Sequence, residues 1–397
     1  MKPNINPSER IWFAHVVRGL ACLIVVYYHL GEMFWRSNDL ASQISFSSPI
    51  EKNHFLPHLH LTDWLYRFNF NFGSFGVGLF FLVSGFVIPI SIEKLGSGKF
   101  IFRRIFRLYP TYIIGLFLSF AVLYLSSIYS NVNFIFTIKD YIKNASLFRD
   151  WFWVPTIDNV NWTLENEVKF YLLCAFIAWI SNLRNPKTMT ITIGSLCIIG
   201  YAVSGTLEFL INNNLFYLYK MFYIITNSAP FLTYMFIGTC IYNLYKNYWD
   251  KKTFCSVVLF LSLAFSFNTY NAFGKISLTG FLVNYSLAFL VFGSLYLLRN
   301  KIPQIKLLDF FANISYPMYV IHGVLGYALL SFLYKFQPYP YLILIEVFLI
   351  ITALSYIIHV LVEKPSNKIG YKLSKPLQLK ENHNPISSNT SKLESSI

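Results

Sequence analysis

A basic side chain and an imidazole lie in one otherwise apolar stretch near the start of the chain. The stretch reads IWFAHVVRGLACLIVVYYHLGEMF and contains Arg18 and His29. Ionisable groups inside a membrane-spanning helix cost free energy and usually mark a functional site. Eleven residues at about 100° each bring both side chains to one helical face, about 16 Å apart along the axis. The spacing predicts that they line one path without touching. Alternatively, Arg18 extends to the membrane surface and His29 bonds a neighbouring helix.

A run of arginines follows the second apolar stretch. The string KFIFRRIFRLYPTY holds Arg103, Arg104 and Arg107. Guanidinium groups bind phosphate oxygens through paired hydrogen bonds, and helical residues three apart share a face. This loop is therefore a candidate site for a phosphate-rich ligand, with Arg104 and Arg107 holding a pyrophosphate. A basic loop that only orients a membrane protein has the same composition.

Two carboxylates begin a later apolar stretch, NWTLENEVKFYL, at Glu165 and Glu167. The sequence predicts that they lie at the depth of His29. A carboxylate beside an imidazole fixes its tautomer and raises its basicity, as removal of a proton from a sugar hydroxyl requires. We therefore expect Glu167 to orient His29. In the alternative interpretation, the two acids only stabilise the positive end of a helix.

Two further strings are less explicit. In FGVGLFFLVSGFVIP, Ser84 and Gly85 would allow close helix packing or leave room for the arm of a ligand. In NISYPMYVIHGVL, Pro317 is expected to kink a helix, while Tyr316 and His322 could turn polar atoms toward a central cavity. A structural hydrogen bond is the alternative role for His322.

The elements that must position these residues are membrane-spanning helices. Of 397 residues, 55% are hydrophobic and 13% are charged, which excludes a water-soluble globule. The predicted fold is an all-α polytopic integral membrane protein, with about ten transmembrane helices around a central through-membrane cavity. The predicted spans are residues 11–34, 74–93, 109–130, 164–182, 188–206, 221–245, 253–270, 277–298, 307–334 and 341–362.

The distribution of charge predicts an orientation. With an even number of spans both termini share one side, which holds 21 Lys and Arg residues against 10 on the other. Both termini are therefore expected in the cytoplasm, with the arginine run inside and His29 near the outside. Residues 35–73 and 131–163 form outer loops that could shape an acceptor site. Residues 1–374 are expected to form one transmembrane domain, and residues 375–397 a disordered cytoplasmic tail.

The remaining composition limits the partners. The net charge of +14 is divided among short loops, which favours contact with membrane lipids over nucleic acid. The cysteines fall in or beside predicted spans without a metal-binding or redox spacing, so we expect buried thiols and no metal site. They are Cys22, Cys174, Cys197, Cys240 and Cys255.

In this order the strings resemble the acyltransferase type 3 family of bacterial membrane proteins, which includes O-antigen, exopolysaccharide and Nod-factor acetylases. The resemblance covers nearly the whole chain. It rests on the Arg18 to His29 spacing, FFLVSGF, RRIFRLYP, WTLENEVKFY, SYPMYVIH and a final VEKP. The chain departs from the family pattern at Gly78, Glu165, Asn166 and Lys169, where the family often has Asp, Ser, Val and Gln.

The resemblance implies transfer of an acyl group, usually acetyl, from cytoplasmic acyl-CoA to a carbohydrate hydroxyl on the other face. It implies that His29 is catalytic and that the enzyme lies in the bacterial inner membrane. The acceptor could be lipid-linked. Combined with the residue analysis, it predicts one path: phosphates on Arg103, Arg104 and Arg107, a pantetheine arm past Arg18 and Ser84, and His29 oriented by Glu167. Trp162, Tyr316 and His322 are expected to be substrate-contacting or structural residues.

Two alternatives belong to other classes. A transporter or flippase would use Arg18, His29 and Glu167 as intramembrane binding or proton-coupling groups. The arginine run after the Ser-Gly string favours the enzyme, because a transporter needs no phosphate site there. An exporter of acylated lipids that works with a separate transferase is a third interpretation.

Overall fold

A computed structural model describes residues 11–50, 57–337 and 339–374, and these fold into helices joined by short connections without any β-strand. The predicted all-α class is confirmed. The predicted tail at 375–397 lies outside the described residues. The helices are α1 (Trp12–Tyr27), a π-helical turn (Tyr28–Met33), α2 (Phe34–Arg36), α3 (Asn38–Ser45), α4 (Pro57–Arg67), α5 (Phe72–Leu95), α6 (Ser97–Ser130), α7 (Ile138–Ala145), α8 (Arg149–Phe152), α9 (Trp162–Ile180), α10 (Pro186–Asn212), α11 (Phe216–Tyr245), α12 (Lys251–Leu297), α13 (Lys306–Ile321), α14 (Val324–Tyr334), α15 (Pro340–Ile358), a second π-helical turn (His359–Glu363) and α16 (Lys364–Leu373).

Seven helices of the described residues are long and apolar enough to cross a membrane, or eight if the bent pair α13 and α14 counts as one span. The difference between this count and the ten predicted spans has physical explanations in α12 and α9. Helix α12 has 47 residues, about 70 Å, which exceeds one bilayer crossing, and it bends at Gly274, where φ is +76°. Helix α9 carries Glu165, Glu167 and Lys169, which lower its hydropathy. The number ten stays a prediction.

Helices α5 and α11 pack at a contact built from two glycines. A Cβ atom on Gly85 would lie 1.8 Å from the Met235 carbonyl oxygen, and one on Gly238 would lie 2.4 Å from that of Leu82. The Thr239 hydroxyl donates to the Gly85 carbonyl oxygen at 2.9 Å. Close backbone approach of this kind stabilises helix pairs in membranes. The predicted packing role of the Ser84–Gly85 string is confirmed.

The chain bends by 76° between α13 and α14. Pro317 lies inside α13, so the prediction that this proline makes the kink is wrong. The break falls at His322 and Gly323, where the Asp158 side chain packs so closely that a Cβ atom on Gly323 would lie 2.5 Å from its Oδ1 atom. A buried carboxylate that accepts backbone and side-chain hydrogen bonds therefore marks the bend, rather than the missing amide of a proline.

Two predicted loops are largely helical. The arginine run forms the first turns of the 34-residue helix α6, and the outer segment 35–73 contains α3 and α4. In the second outer segment, Thr137 and Asp140 form a reciprocal cap at the start of α7. All five cysteines are free, but Cys255 is exposed on the outer surface of its helix instead of buried.

Candidate active site

A large polar cavity opens at the end of the molecule that is predicted to face the cytoplasm. Its volume is about 780 Å³, and it is lined by α1, α5, α6, α11, α13 and the second π-helical turn with α16. Five cationic side chains face it against one carboxylate, Glu363, which also pairs with His359 at 2.6 Å. The cations are Arg18, Lys94, Arg107, Lys246 and Lys364. Such an excess of positive charge favours an anionic ligand.

The cavity continues inward as a narrow extension of about 60 Å³. Arg18, Arg107 and Tyr316 line both spaces, so the two are adjacent. Along α13 the wide part ends at Tyr316, whereas the extension reaches Tyr319. The Tyr319 ring then packs against His322, with ring centroids 5.5 Å apart. A cation-lined path therefore leads from the opening toward His322.

The carboxylate of Glu167 lies beside this extension. It accepts hydrogen bonds from the Ser84 hydroxyl at 2.7 Å and the Tyr171 hydroxyl at 2.5 Å. Arg18 and Arg107 line the same extension. The structure thus brings together five predicted site residues around the extension: Arg18, Ser84, Arg107, Glu167 and Tyr316.

His29 lies in the π-helical turn that follows α1. Its Nδ1 atom is 2.5 Å from the Tyr327 hydroxyl, which also lies 2.8 Å from the Met33 sulfur. When that hydroxyl donates its proton to the sulfur, it accepts from Nδ1 and leaves the His29 Nε2 atom unprotonated. The ring of His322 packs edge-on against His29, with centroids 5.0 Å apart. Short π-helical turns often occur at functional sites because they shift the side chains that follow.

The tautomer of His322 follows from its neighbours. Its Nδ1 atom lies 2.8 Å from the Tyr319 carbonyl oxygen and 3.1 Å from that of Met318. Carbonyl oxygens only accept, so Nδ1 carries the proton and Nε2 carries a lone pair. That Nε2 atom is buried and has no hydrogen-bond partner in the described part of the chain. The structural hydrogen bond expected as one alternative for His322 is therefore present at Nδ1, and a functional role for the other nitrogen stays a prediction.

Asp158 supports the bend beside these histidines. It is buried, and it accepts from the Ser119 hydroxyl at 2.9 Å and the Val160 amide at 3.2 Å. Burial raises the pKa of Asp158 to about 6, although these hydrogen bonds and one from the Val324 amide oppose the rise. The outer segment before α9 is thereby fixed to the start of α14.

Two predictions about the path differ from the structure. The predicted pairing of His29 with Glu167 is wrong, because α9 directs Glu167 toward α5, whereas the π-helical turn directs His29 toward α14. The side chain that contacts His29 Nδ1 is Tyr327, which lies 298 residues later in the sequence. Helix α14 reads VLGYALLSFLY and is apolar nearly throughout, so its sequence did not indicate that Tyr327 would face a histidine.

The predicted three-arginine phosphate site is only partly assembled. Arg107 lines the cavity, whereas Arg104 is buried, donates to the Ser91 hydroxyl at 3.0 Å and packs over the Tyr171 ring. Arg103 donates to Ser374 at 2.5 Å in the turn after α16. Because the run is helical, its members point in different directions. Lys94, Lys246 and Lys364 supply the other positive charges, and each was visible in the sequence only as part of the charge bias.

Helix α9 has two functional faces. Thr163, Glu167 and Tyr171 face the extension of the cavity. Trp162, at the other face, borders a separate outer pocket of about 650 Å³. The three departures from the family string, Glu165, Asn166 and Lys169, all line this outer pocket.

A comparison with known families decides the class of the protein. The sequence model of the acyltransferase type 3 family, described as an acyltransferase domain, matches residues 11–363. The chain belongs to this family. The comparison confirms the resemblance of the strings and makes the protein a multi-pass membrane acyltransferase. Neither the curated proteins nor the solved structures gave a match. In the described part of this acyltransferase, no group of three or more His, Cys, Asp and Glu side chains is arranged to hold a metal ion.

Proposed function

We propose that this membrane acyltransferase moves an acyl group, acetyl by default, from cytoplasmic acyl-CoA to a hydroxyl of a cell-surface carbohydrate across the bacterial inner membrane. O-antigen, capsule and exopolysaccharide are acceptors of the expected class, and the acceptor can be lipid-linked. The cation-lined cavity carries this proposal, together with the adjacent narrow space that reaches Tyr319, whose ring packs against His322 and through it His29.

The cavity supports an extended anionic donor. Arg18 and Arg107, with the lysines at the opening, would bind the phosphate groups of acyl-CoA through charge-assisted hydrogen bonds. The narrow extension past Ser84 and Tyr316 suits the unbranched thiol end of the pantetheine arm. Tyr319 closes the described path, so its ring must move before a thioester can reach His29.

The proposed reaction uses the unprotonated Nε2 atom of His29. Its Nε2 atom takes the proton of the acceptor hydroxyl while the hydroxyl oxygen attacks the thioester carbon. The carbon–sulfur bond then breaks, and the imidazolium returns the proton to the leaving CoA thiolate. In the second route, His29 first forms an acyl-imidazole and releases CoA, and the acceptor hydroxyl then takes the acyl group.

Acetyl-CoA and envelope glycan, incubated with purified wild-type or His29→Ala protein, provide the test. We expect the variant to release CoA at least a hundredfold more slowly, the usual contribution of general base catalysis. Binding of acetyl-CoA should be retained, because His29 does not line the donor cavity. Equal CoA release by both proteins would overturn the assignment. Radiolabelled acetyl groups trapped on wild type without acceptor would favour the acyl-imidazole route.

A transporter or flippase receives less support. The chain matches an acyltransferase family over nearly its whole length. An acylated-lipid exporter would leave the His29 and Tyr327 contact without a chemical role.

A further inference from the structure

The outer pocket is separate from the donor path. It is bounded by α8, α9, α11 and both legs of α12, with a volume of about 650 Å³. Helix α9 and the packed rings of Phe81, Trp162 and Phe231 stand between it and the extension of the donor cavity. The size is that of a ligand-binding cleft, and its position is on the side where the acceptor is expected.

Charges in this pocket are paired with one another. Arg149 binds Glu165 with two hydrogen bonds, of 2.9 and 3.1 Å. Lys169 pairs with Asp150 and donates to the Ser228 hydroxyl at 3.0 Å. The two cations and two carboxylates cancel, in contrast to the excess of positive charge in the cytoplasmic cavity. The pocket therefore presents fixed donors and acceptors without attracting an anion.

One residue in the lining of the pocket has a polar atom without a hydrogen-bond partner in the described part of the chain. The Asn166 side chain donates to the Trp162 carbonyl oxygen at 2.9 Å, but its Oδ1 atom is buried without a hydrogen bond. The residue is only 6% exposed. A buried acceptor without a partner is destabilising, so a ligand donor would be stabilised there once the amide turns toward the pocket.

Aromatic faces complete the lining. Trp153, Trp162 and Tyr223 remain 44%, 36% and 45% exposed. Such rings offer flat apolar surfaces together with N–H or O–H donors. Flat apolar faces beside fixed hydrogen-bonding groups match a sugar ring, which has apolar C–H faces and a rim of hydroxyls. A hydrocarbon chain would leave the polar groups unused.

We infer that this outer pocket binds an uncharged sugar unit of the acceptor glycan, at a distance from the hydroxyl that is acylated. The inference rests on the proposed function for the word acceptor, but sugar binding itself does not. Binding energy from a remote unit holds a long acceptor in place while another of its hydroxyls reaches His29. Asn166 and Trp153 are then specificity residues for the glycan rather than catalytic residues.

Direct binding tests the pocket without relying on catalysis. Envelope glycan is cleaved with mild acid, and its oligosaccharides are separated by anion exchange into neutral and acidic pools. We expect the neutral pool to bind wild type, and Trp153→Ala or Asn166→Ala to weaken that binding about tenfold, the effect of one lost hydrogen bond or ring contact. Trp179→Ala is the matched control, because Trp179 lies at the far end of α9, is 76% exposed and is remote from the pocket.

Steady-state kinetics connect the pocket to the acceptor. We expect Trp153→Ala and Asn166→Ala to raise the KM for glycan about tenfold while acetyl-CoA affinity is unchanged. Unaltered neutral-pool binding in both variants, or preference of wild type for the acidic pool, would overturn the inference. If the neutral pool binds as expected but His29→Ala and wild type release CoA equally, the sugar site stands and the proposed reaction fails. If His29→Ala slows CoA release but neither Trp153→Ala nor Asn166→Ala weakens neutral-pool binding, the proposed reaction stands and the sugar site fails.

Discussion

The two cavities differ in the charge of their linings. The cavity at the end predicted to face the cytoplasm gathers Arg18, Arg107 and three lysines around one carboxylate. The outer pocket pairs each of its two cations with a carboxylate and adds aromatic faces. Helix α9 lines the narrow extension of the first cavity with one face and the outer pocket with the other.

The difference would let one transmembrane scaffold sort two substrates. In the proposed reaction an anionic donor is attracted to the cation-lined cavity and gains no net charge attraction from the outer pocket, so donor and acceptor would not compete. His29, His322 and Tyr327 lie beyond the end of the donor path and belong to neither cavity. In the proposed reaction the chemistry would therefore take place in a third region, outside both cavities.

Gly85→Ala should damage both cavities at once. Its new methyl group would collide with the Met235 carbonyl oxygen, and the resulting separation of α5 and α11 would move Ser84 on one side and Phe231 on the other. Overpacking of this severity costs about 3 kcal/mol or more. We expect a lower Tm and loss of both acetyl-CoA and glycan binding. Gly293→Ala, at a position with open space, is the control. Wild-type binding of both ligands by Gly85→Ala would show that the contact is not essential.

Arg107→Ala should affect the donor side only. Loss of one charged hydrogen bond to phosphate costs about 1.5–3 kcal/mol, which weakens acetyl-CoA binding roughly 10- to 100-fold. Arg103→Ala is matched in residue type and helix, but its side chain points to Ser374, so acetyl-CoA affinity should be retained. Isothermal titration of both variants measures this contrast. Equal weakening by the two substitutions would restore the three-arginine site that the sequence predicts.

Tyr327→Phe should affect the chemical step without changing either binding surface. The hydroxyl that contacts His29 Nδ1 is removed, so the imidazole loses its fixed orientation. One such hydrogen bond contributes about 1–1.5 kcal/mol, and we expect kcat to fall about tenfold with both KM values unchanged. The pH profile of kcat should also shift. Tyr356→Phe, on the exposed side of α15, serves as control. An unchanged kcat and pH profile would remove Tyr327 as a positioning residue.

The smallest expected effect is on stability. It comes from Asp158, which attaches the outer segment before α9 to the start of α14. Because burial raises its pKa to about 6, the folded protein binds a proton more tightly than the unfolded chain does. The contribution of this proton to the free energy of unfolding is complete below about pH 4 and is lost as the pH rises through 6. We expect stability to fall by about 1 kcal/mol between pH 5 and pH 7. The measurement is the difference in Tm between wild type and Asp158→Asn as a function of pH, which should decrease from pH 5 to pH 7. A difference that rises over that range would contradict the assignment.

The sequence predicted the helices and several close contacts well. Apolar stretches of spanning length identified every long helix, and the small residues Ser84 and Gly85 correctly indicated close packing. The types of residue along the donor path were also predicted, because Arg18 and Arg107 stand out in apolar or amphipathic surroundings. Such signals are local, since they depend on composition and spacing within one segment.

The partners of those residues were not predictable from spacing. Helical periodicity assigns Glu165 and Glu167 to different faces of α9, but it does not say which face meets α5 and which borders an open pocket. In the same way, the π-helical turn changes the direction of His29 without a sequence signal.

The sequence by itself determined an all-helical membrane protein of the acyltransferase type 3 family, with Arg18 and His29 on the first helix. Tertiary structure alone decided that Glu167 bonds Ser84, that Tyr327 contacts His29 and that Arg103 faces away from the cavity. The physical reason is that hydropathy and periodicity act along one helix, whereas side-chain partners depend on the rotation and depth at which separate helices pack.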